Sequence, residues 1–297
     1  MIAKFPNFSK LDISHQNEIL DFTSQFDPYS DFNFTSLFSW NIDNSSQISI
    51  LNENLIILLP DYISGDPVYS ILGNNKIDES LIDLFQITDK LKLIPEVVVE
   101  NISNKVLFEI IEDNDNNDYI VSSADLARLS PEKFAKKHLL VEKFKQNNPD
   151  LDVRYIPLDN SKARKVIVKS FEKWRKVNNK PRDVTRVELK AIKRLLDNVN
   201  HLKHVNAVGI YDAKKLIAFN IFESLENGYG LSSFQKAIKR SDGLYAMLTQ
   251  EMSKYLVDMN CEYINFEQDL GIEGLRNSKR SYHPVKLLKK YLVYKIN

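Results

Sequence analysis

Along residues 131–294 the hydrophobic spacing turns from a helical period to an alternating one and back, in an order few folds can accommodate. Ser130 followed by Pro131 opens a helix that runs to about residue 146. Residues 160–177 then carry Ala163, Val166, Ile167, Phe171, Trp174 and Val177 at helical spacing, with a basic opposite face. Thr185 and Glu188 stand at the spacing of a capping box and predict a third helix, with Val187, Ala191, Leu195 and Leu196 inward. The period then becomes two. Residues 204–211 and 216–223 read as strands around the turn 212–215, and 229–235 as a third. A polar loop, 236–242, leads into a helix over 243–259. A strand at 263–266, a loop or short helix over 270–282, and a closing strand at 285–294 follow. Helices, a three-stranded meander, a further helix and further strands predict an α/β (α+β) domain in which helices flank a mixed sheet.

The first 130 residues read as a second domain. At about 150 residues per domain, 297 residues make two. A helix over 15–26 capped by Ser14, strands at 48–50, 55–59 and 68–72, a helix over 79–90 and a strand over 96–101 are expected. The acidic run 112–118 reads as a solvated loop; it lacks the glycine and terminal glutamate of a calcium-binding loop. The net charge is zero, yet residues 1–130 hold 7 Lys+Arg against 21 Asp+Glu, and residues 131–297 hold 33 against 19. That contrast places the division at 130/131. It also suits either attraction between the halves or the concentration of an anionic ligand by the basic one. No apolar run approaches the roughly 18 residues of a membrane-spanning helix. The first residues lack the apolar core of a signal peptide, and the single cysteine, Cys261, excludes an internal disulfide. A cytoplasmic protein is expected, with Cys261 a small buried apolar residue rather than a nucleophile.

Chemistry concentrates in residues 264–284, INFEQDLGIEGLRNSKRSYHP, directly after a strand. Glu267, Asp269, Arg276, Lys279 and Tyr282 surround Gly271 and Gly274, whose missing Cβ atoms permit a tight path. Acyl transfer to an amine needs a proton acceptor, donors for the oxyanion, and a hold on an anionic donor. Glu267 or Asp269 can serve as the base, with Glu223 at the end of its strand as the alternative. Arg276 and Lys279 suit a phosphate or carboxylate, and Tyr282 suits a leaving group. Gly243 opens the helix after the meander, with Lys239 and Arg240 just before it, and a helix N-terminus of that kind can hold a phosphate. His201 and His204 are spaced as a metal pair but lack a third ligand nearby, so no metal site is expected.

The pattern Asn265, Glu267, Gln268, Asp269, Leu270, Gly271, then Leu275, Arg276, then Lys279, Ser281, Tyr282 and Pro284 resembles the lysyl-phosphatidylglycerol synthase C-terminal-like family, related to the Fem-type aminoacyltransferases. Residues 31–40, 118–145 and 217–223 add to the likeness, which therefore spans nearly the whole chain. The resemblance implies two tandem acetyltransferase-like (GNAT) folds and an acyl- or aminoacyltransferase. Its donor would be aminoacyl-tRNA or acyl-coenzyme A, and its acceptor an amine or hydroxyl. Two departures stand out. The membrane synthases of the family carry many spans that this chain lacks, leaving at most peripheral membrane contact. The glycine-rich coenzyme A signature is also missing, as residues 235–243 read QKAIKRSDG. A non-catalytic ligand- or nucleic-acid-binding protein on the same fold is the competing expectation.

Overall fold

The computed structural model describes residues 1–238 and 242–296, and the chain divides into two compact units. The first comprises Met1–Tyr119, Glu267–Ser281 and Lys286–Asn297; the second comprises Ile120–Phe266 and Tyr282–Val285. The units are therefore not the consecutive halves expected from charge. The contrast nevertheless follows them, with 13 Lys+Arg against 23 Asp+Glu in the first and 27 against 17 in the second.

In the first unit seven strands form one sheet, in the order Ser9–Lys10, Gln47–Leu51, Asn54–Pro60, Pro67–Leu72, Lys90–Pro95, Lys290–Lys295 and Phe108–Glu112. All neighbours are antiparallel except Pro67–Leu72 and Lys90–Pro95, which run parallel and are joined through the helix Ile77–Leu84. A parallel pair requires such a crossover, and its apolar stripe, Ile77, Leu81 and Leu84, packs with Ile56, Ile71, Leu91 and Val293. Residues 96–101 are not the expected strand. Glu96–Glu100 is a short helix after Pro95, and Val98 and Val99 are buried on one side of it. β-branched content alone misled there, because tertiary packing overrides propensity over so few residues. The first helix is Gln16–Thr23; it follows a turn capped by Asp12 rather than Ser14.

The second unit orders its strands Leu151–Tyr155, Val205–Asp212, Lys215–Ser224, Tyr229–Ala237, Tyr263–Asn265 and then residues 120–122. Its parallel pair is Tyr229–Ala237 with Tyr263–Asn265, linked by the helix Asp242–Asp258. Leu244, Met247, Leu248, Met252 and Leu256 of that helix meet Val208, Phe222 and Ile264 in the core. The helix Pro131–Asn147 packs beside it so closely that a Cβ on Gly243 would lie 2.5 Å from the Leu140 carbonyl oxygen. Helices Ser161–Val177 and Arg182–Asn198 complete the flanks. The expected capping box does not form. The third helix already begins at Arg182, so Thr185 lies within it and its hydroxyl bonds back to the Pro181 carbonyl, while Glu188 pairs with Lys236. The expected closing strand is two, Lys286–Leu288 and Lys290–Lys295. The molecule is thus a mixed α/β protein with two mixed sheets flanked by helices. No described helix is long and apolar enough to cross a membrane.

Candidate functional site

The loop after Tyr263–Asn265 takes an unusual course. Glu267 and Leu270 have φ of 58° and 56°, a left-handed conformation that non-glycine residues adopt at a cost of about 1–3 kcal/mol and that concentrates at functional sites. Gly271 takes the left-handed region at φ 72°, where a side chain is strained, and the Asp115 carboxylate lies 2.8 Å from where a Cβ would stand. The backbone then enters the short helix Glu273–Arg280, which carries Arg276 and Lys279.

Two polar assemblies of the first unit meet in this loop. One is built on Asp269, whose carboxylate is fully buried. Arg276 reaches it with Nε and Nη2 at 2.9 and 2.8 Å, Tyr119 donates its hydroxyl at 2.6 Å, and the Gly271 amide donates at 2.8 Å. Burial alone would raise this carboxyl's pKa, but the hydrogen bonds from Arg276 and Tyr119 outweigh it and lower the pKa. Arg276 also holds Asp115 at 2.5 Å. This geometry makes Asp269 a poor proton acceptor and engages the Arg276 guanidinium with two carboxylates. Both of these expected roles give way to a brace that fixes the loop.

The second assembly was not anticipated. Lys290 is completely buried in the last strand, with its ammonium bonded to Asp118 at 2.8 Å, to the Ser30 hydroxyl at 3.3 Å and to Asp31. Asp118 also accepts the Ser30 amide at 2.7 Å, and Tyr62 donates its hydroxyl to Asp31 at 2.7 Å. Ser30 Oγ lies 2.7 Å from Gln268 Oε1, which ties the cluster to the loop. The run 112–118 is accordingly not all solvated: Asn116, Asn117 and Asp118 are buried. Above this cluster sits Glu267, half-buried, with Ser36 Oγ 3.5 Å from its carboxylate. Half-buried Lys279 donates to the Gln268 carbonyl at 2.5 Å.

Charge arithmetic explains the proton affinities. Asp31, Asp118 and Glu267 bring three negative charges against two positive ones on Lys279 and Lys290. Full ionisation would leave one anion uncompensated out of water, so a proton is held more tightly. Burial is the leading cause that raises Asp31 and pushes Glu267 up to about 8, with Asp118 adding repulsion in both cases. Burial likewise depresses Lys279, while Glu267 opposes that shift. Burial would lower Lys290 too, but Asp118 and Asp31 reverse the sign and raise it.

The remaining expected residues lie elsewhere. Tyr282 belongs to the second unit, with its ring edge-on to Phe266, the Lys137 ammonium 3.7 Å from its ring centroid and Thr249 Oγ1 3.3 Å from its hydroxyl. Glu223 is buried in the Lys215–Ser224 strand of that unit. Gly243 is explained by helix packing, and Lys239 and Arg240 fall outside the described residues. Cys261 is buried in the second core, where desolvation pushes its thiol up to about 11. The buried acids missed at first, Asp31 and Asp118, each open a stretch of family likeness. Charged residues leading an aromatic or β-branched run were the available signal.

The chain thus joins two helix-flanked mixed sheets and a polar loop at a strand end. The comparisons give its family. The model of the family "Phosphatidylglycerol lysyltransferase, C-terminal" matches residues 29–294, and the chain belongs to this family. A conserved protein of unknown function from Bacteroides thetaiotaomicron VPI-5482 is 26% identical, with a TM-score of 0.85 over 100% of both chains. L-PGS from Bacillus licheniformis shares the fold at 12% identity and a TM-score of 0.64, covering 100% of this chain and 94% of its own. FemX does so at 8% identity and a TM-score of 0.57, covering 98% of each. No curated protein matches the sequence.

Proposed function

We propose that the chain transfers an acyl or aminoacyl group from an activated anionic donor, aminoacyl-tRNA or acyl-coenzyme A, to an amine or hydroxyl, with Glu267 as the proton acceptor. The observation that carries this reading is a half-buried carboxyl held in a left-handed turn with its pKa raised to about 8. Its ionised form, a minor fraction at neutral pH that grows as pH rises through 8, can take the proton from an amine or hydroxyl nucleophile. The acceptor nitrogen or oxygen bonds to the acyl carbon as its proton passes to Glu267. The ester or thioester bond breaks, and the departing oxygen or sulfur takes that proton back. Lys279 supplies positive charge beside the developing oxyanion. The Lys290, Asp31 and Asp118 cluster positions Gln268 and sets the field on Glu267. Asp269 and Arg276 hold the loop in shape.

A tandem origin of the two units belongs to the same proposal. It is supported by a shared order: a three-stranded antiparallel meander, a helix, then a strand parallel to the third. In the first unit this runs from Gln47–Leu51 through Lys90–Pro95, and in the second from Val205–Asp212 through Tyr263–Asn265.

The test offers tRNA charged with mixed radiolabelled amino acids, and separately radiolabelled acetyl-coenzyme A, with spermidine and a phosphatidylglycerol-rich lipid extract as acceptors. Label is expected to move from one donor with the native chain and to fall at least about 100-fold in Glu267→Gln, the usual scale of a lost general base. Transfer at the native rate in Glu267→Gln would refute the role of Glu267. No transfer from either donor would favour a binding protein on this fold.

A further inference from the structure

Tyr62 reaches the buried acids beside Glu267 from an element that the transfer chemistry leaves unassigned. It is the second residue of the loop 61–66, which joins the strands Asn54–Pro60 and Pro67–Leu72 of the first unit. The loop is closed on itself. The Asp61 amide donates to the Asp66 carbonyl at 2.8 Å, and the Gly65 amide to the Asp61 carbonyl at 3.0 Å. The Asp61 carboxylate accepts the amides of Ile63 and Ser64 at 2.9 and 3.0 Å and pairs with Lys92. Burial would raise this carboxyl, but the bonds from Lys92 and the two amides outweigh it and lower its pKa to about 2. The clamp therefore stays charged at neutral pH, and it aims one ring inward. Tyr62 keeps 37% of its surface exposed, yet its hydroxyl donates at 2.7 Å to Asp31, which is 1% exposed. The ring thus spans from solvent to the buried cluster.

We propose that Tyr62 is a positioning residue for Glu267 that acts through Asp31, with its phenol as the neutral donor that keeps Asp31 anionic and turned toward Gln268. The path is short. The Tyr62 hydroxyl and Gln268 Nε2, at 3.4 Å, meet at Asp31 Oδ1, and Gln268 adjoins Glu267 in the chain. Lys290 takes Asp31 Oδ2. Burial and the Asp31 charge hold the Tyr62 proton well above the ordinary phenol range, so the hydroxyl stays a donor. The charges acting on Asp31 are Lys290 and Asp118; those acting on Glu267 are Lys279, Asp118, Asp31 and Lys290. Without the phenol, the charged form of Asp31 loses a donor and binds a proton more tightly. A neutral Asp31 leaves Asp118 and Glu267 against Lys279 and Lys290, two charges of each sign, so Glu267 then ionises more readily. A phenol does this work without adding a charge of its own. The consequence for transfer rests on the reading of Glu267 as proton acceptor; the linkage among Tyr62, Asp31 and Glu267 does not.

The experiment is infrared difference titration of the full chain, following the carboxyl band that Glu267→Gln removes, in Tyr62→Phe, Asp31→Asn and the two combined. Tyr62→Phe keeps the ring and removes the hydroxyl. The Glu267 midpoint is expected to fall in it by about one unit, the scale on which a neighbouring charge moves a carboxyl. Asp31→Asn is expected to lower the midpoint as well, and Tyr62→Phe to add nothing in that background, because the path is already cut. Ile63→Ser, in the same loop with a side chain 74% exposed, is expected to leave the midpoint at its native value. Should Asp31→Asn fail to fold, Tyr62→Phe against Ile63→Ser decides alone. An unmoved midpoint in Tyr62→Phe, or the same fall in Ile63→Ser, overturns the inference. So does an equal fall with and without the Asp31 carboxylate. A fall in Tyr62→Phe beside native-rate transfer by Glu267→Gln would uphold the linkage and sink only the base. Where transfer does depend on Glu267, the rising limb of the pH–rate profile is expected to move to lower pH in Tyr62→Phe by as much as the infrared midpoint.

Discussion

At the residue scale the site is governed by how few ways a buried charge can be satisfied. Asp269 is fully matched, so removing its partner is costly. Arg276→Ala would leave a completely buried carboxylate without its cation and is expected to destabilise the chain. Chemical denaturation would register it as a lower midpoint; an unchanged midpoint would mean the brace is dispensable. Glu267 is the opposite case, an acid whose folded pKa of about 8 lies above its ordinary 4.5. The folded state binds that proton more tightly. The associated stability is therefore whole below pH 4.5 and disappears as pH rises through 8. Lys279, depressed in the fold, contributes the reverse trend between 8 and 10.5. Glu267→Gln removes the first effect, so its stability is expected to fall less than that of the native chain between pH 5 and 8. Parallel declines in thermal midpoint would contradict the assigned shift. Of these residues, Glu267, Asp269, Arg276 and Lys279 were legible from one dense polar stretch. Lys290 was not, because a lysine in an edge-like run such as KYLVYK normally reads as solvent-facing, and only the fold reveals two buried aspartates waiting for it.

At the element scale, periodicity decided well where an element was long. The helices Ser161–Val177 and Asp242–Asp258 and the meander Val205–Ala237 fall close to where spacing predicts them. Short elements were decided by burial and turns instead. Glu96–Glu100 became a helix despite three valines, and Thr185 lost its capping role once the helix began a turn earlier at Arg182. Gly243 shows how a packing constraint imitates a ligand signal. It stands where a phosphate-binding glycine would, yet a side chain there would meet Leu140 and Phe144 of the neighbouring helix. Gly243→Ala is expected to force those helices apart at a cost of about 1–3 kcal/mol, seen as a lower unfolding temperature. A gain in stability, as intrinsic helix propensity alone would give, would show that the contact yields easily.

At the scale of the whole molecule, the order of elements foretold two mixed sheets but not which strands complete them. The last strand, Lys290–Lys295, pairs with Lys90–Pro95 in the first unit's sheet, and residues 120–122 pair with Tyr263–Asn265 in the second. Each sheet thus takes a strand from the distant part of the chain. Linear charge and length could not expose that exchange, since pairing over such separations leaves no local pattern. A fragment of residues 131–297 would lack residues 120–122 and carry Lys290–Lys295 without its partners. It is expected to be unfolded or aggregated, whereas a stably folded fragment with a cooperative thermal transition would contradict the division into units. The same exchange carries Lys290 to Asp31 and Asp118, and so sets the field on Glu267. The proton affinity of Glu267 is therefore the most direct reading of the account. It can be followed by infrared difference titration of the native chain against Glu267→Gln from pH 5 to 10. A protonated carboxyl band present near neutrality, lost with a midpoint of about 8 and absent from the variant, is the expected result. A midpoint in the ordinary carboxylate range, near 4.5, would contradict the account.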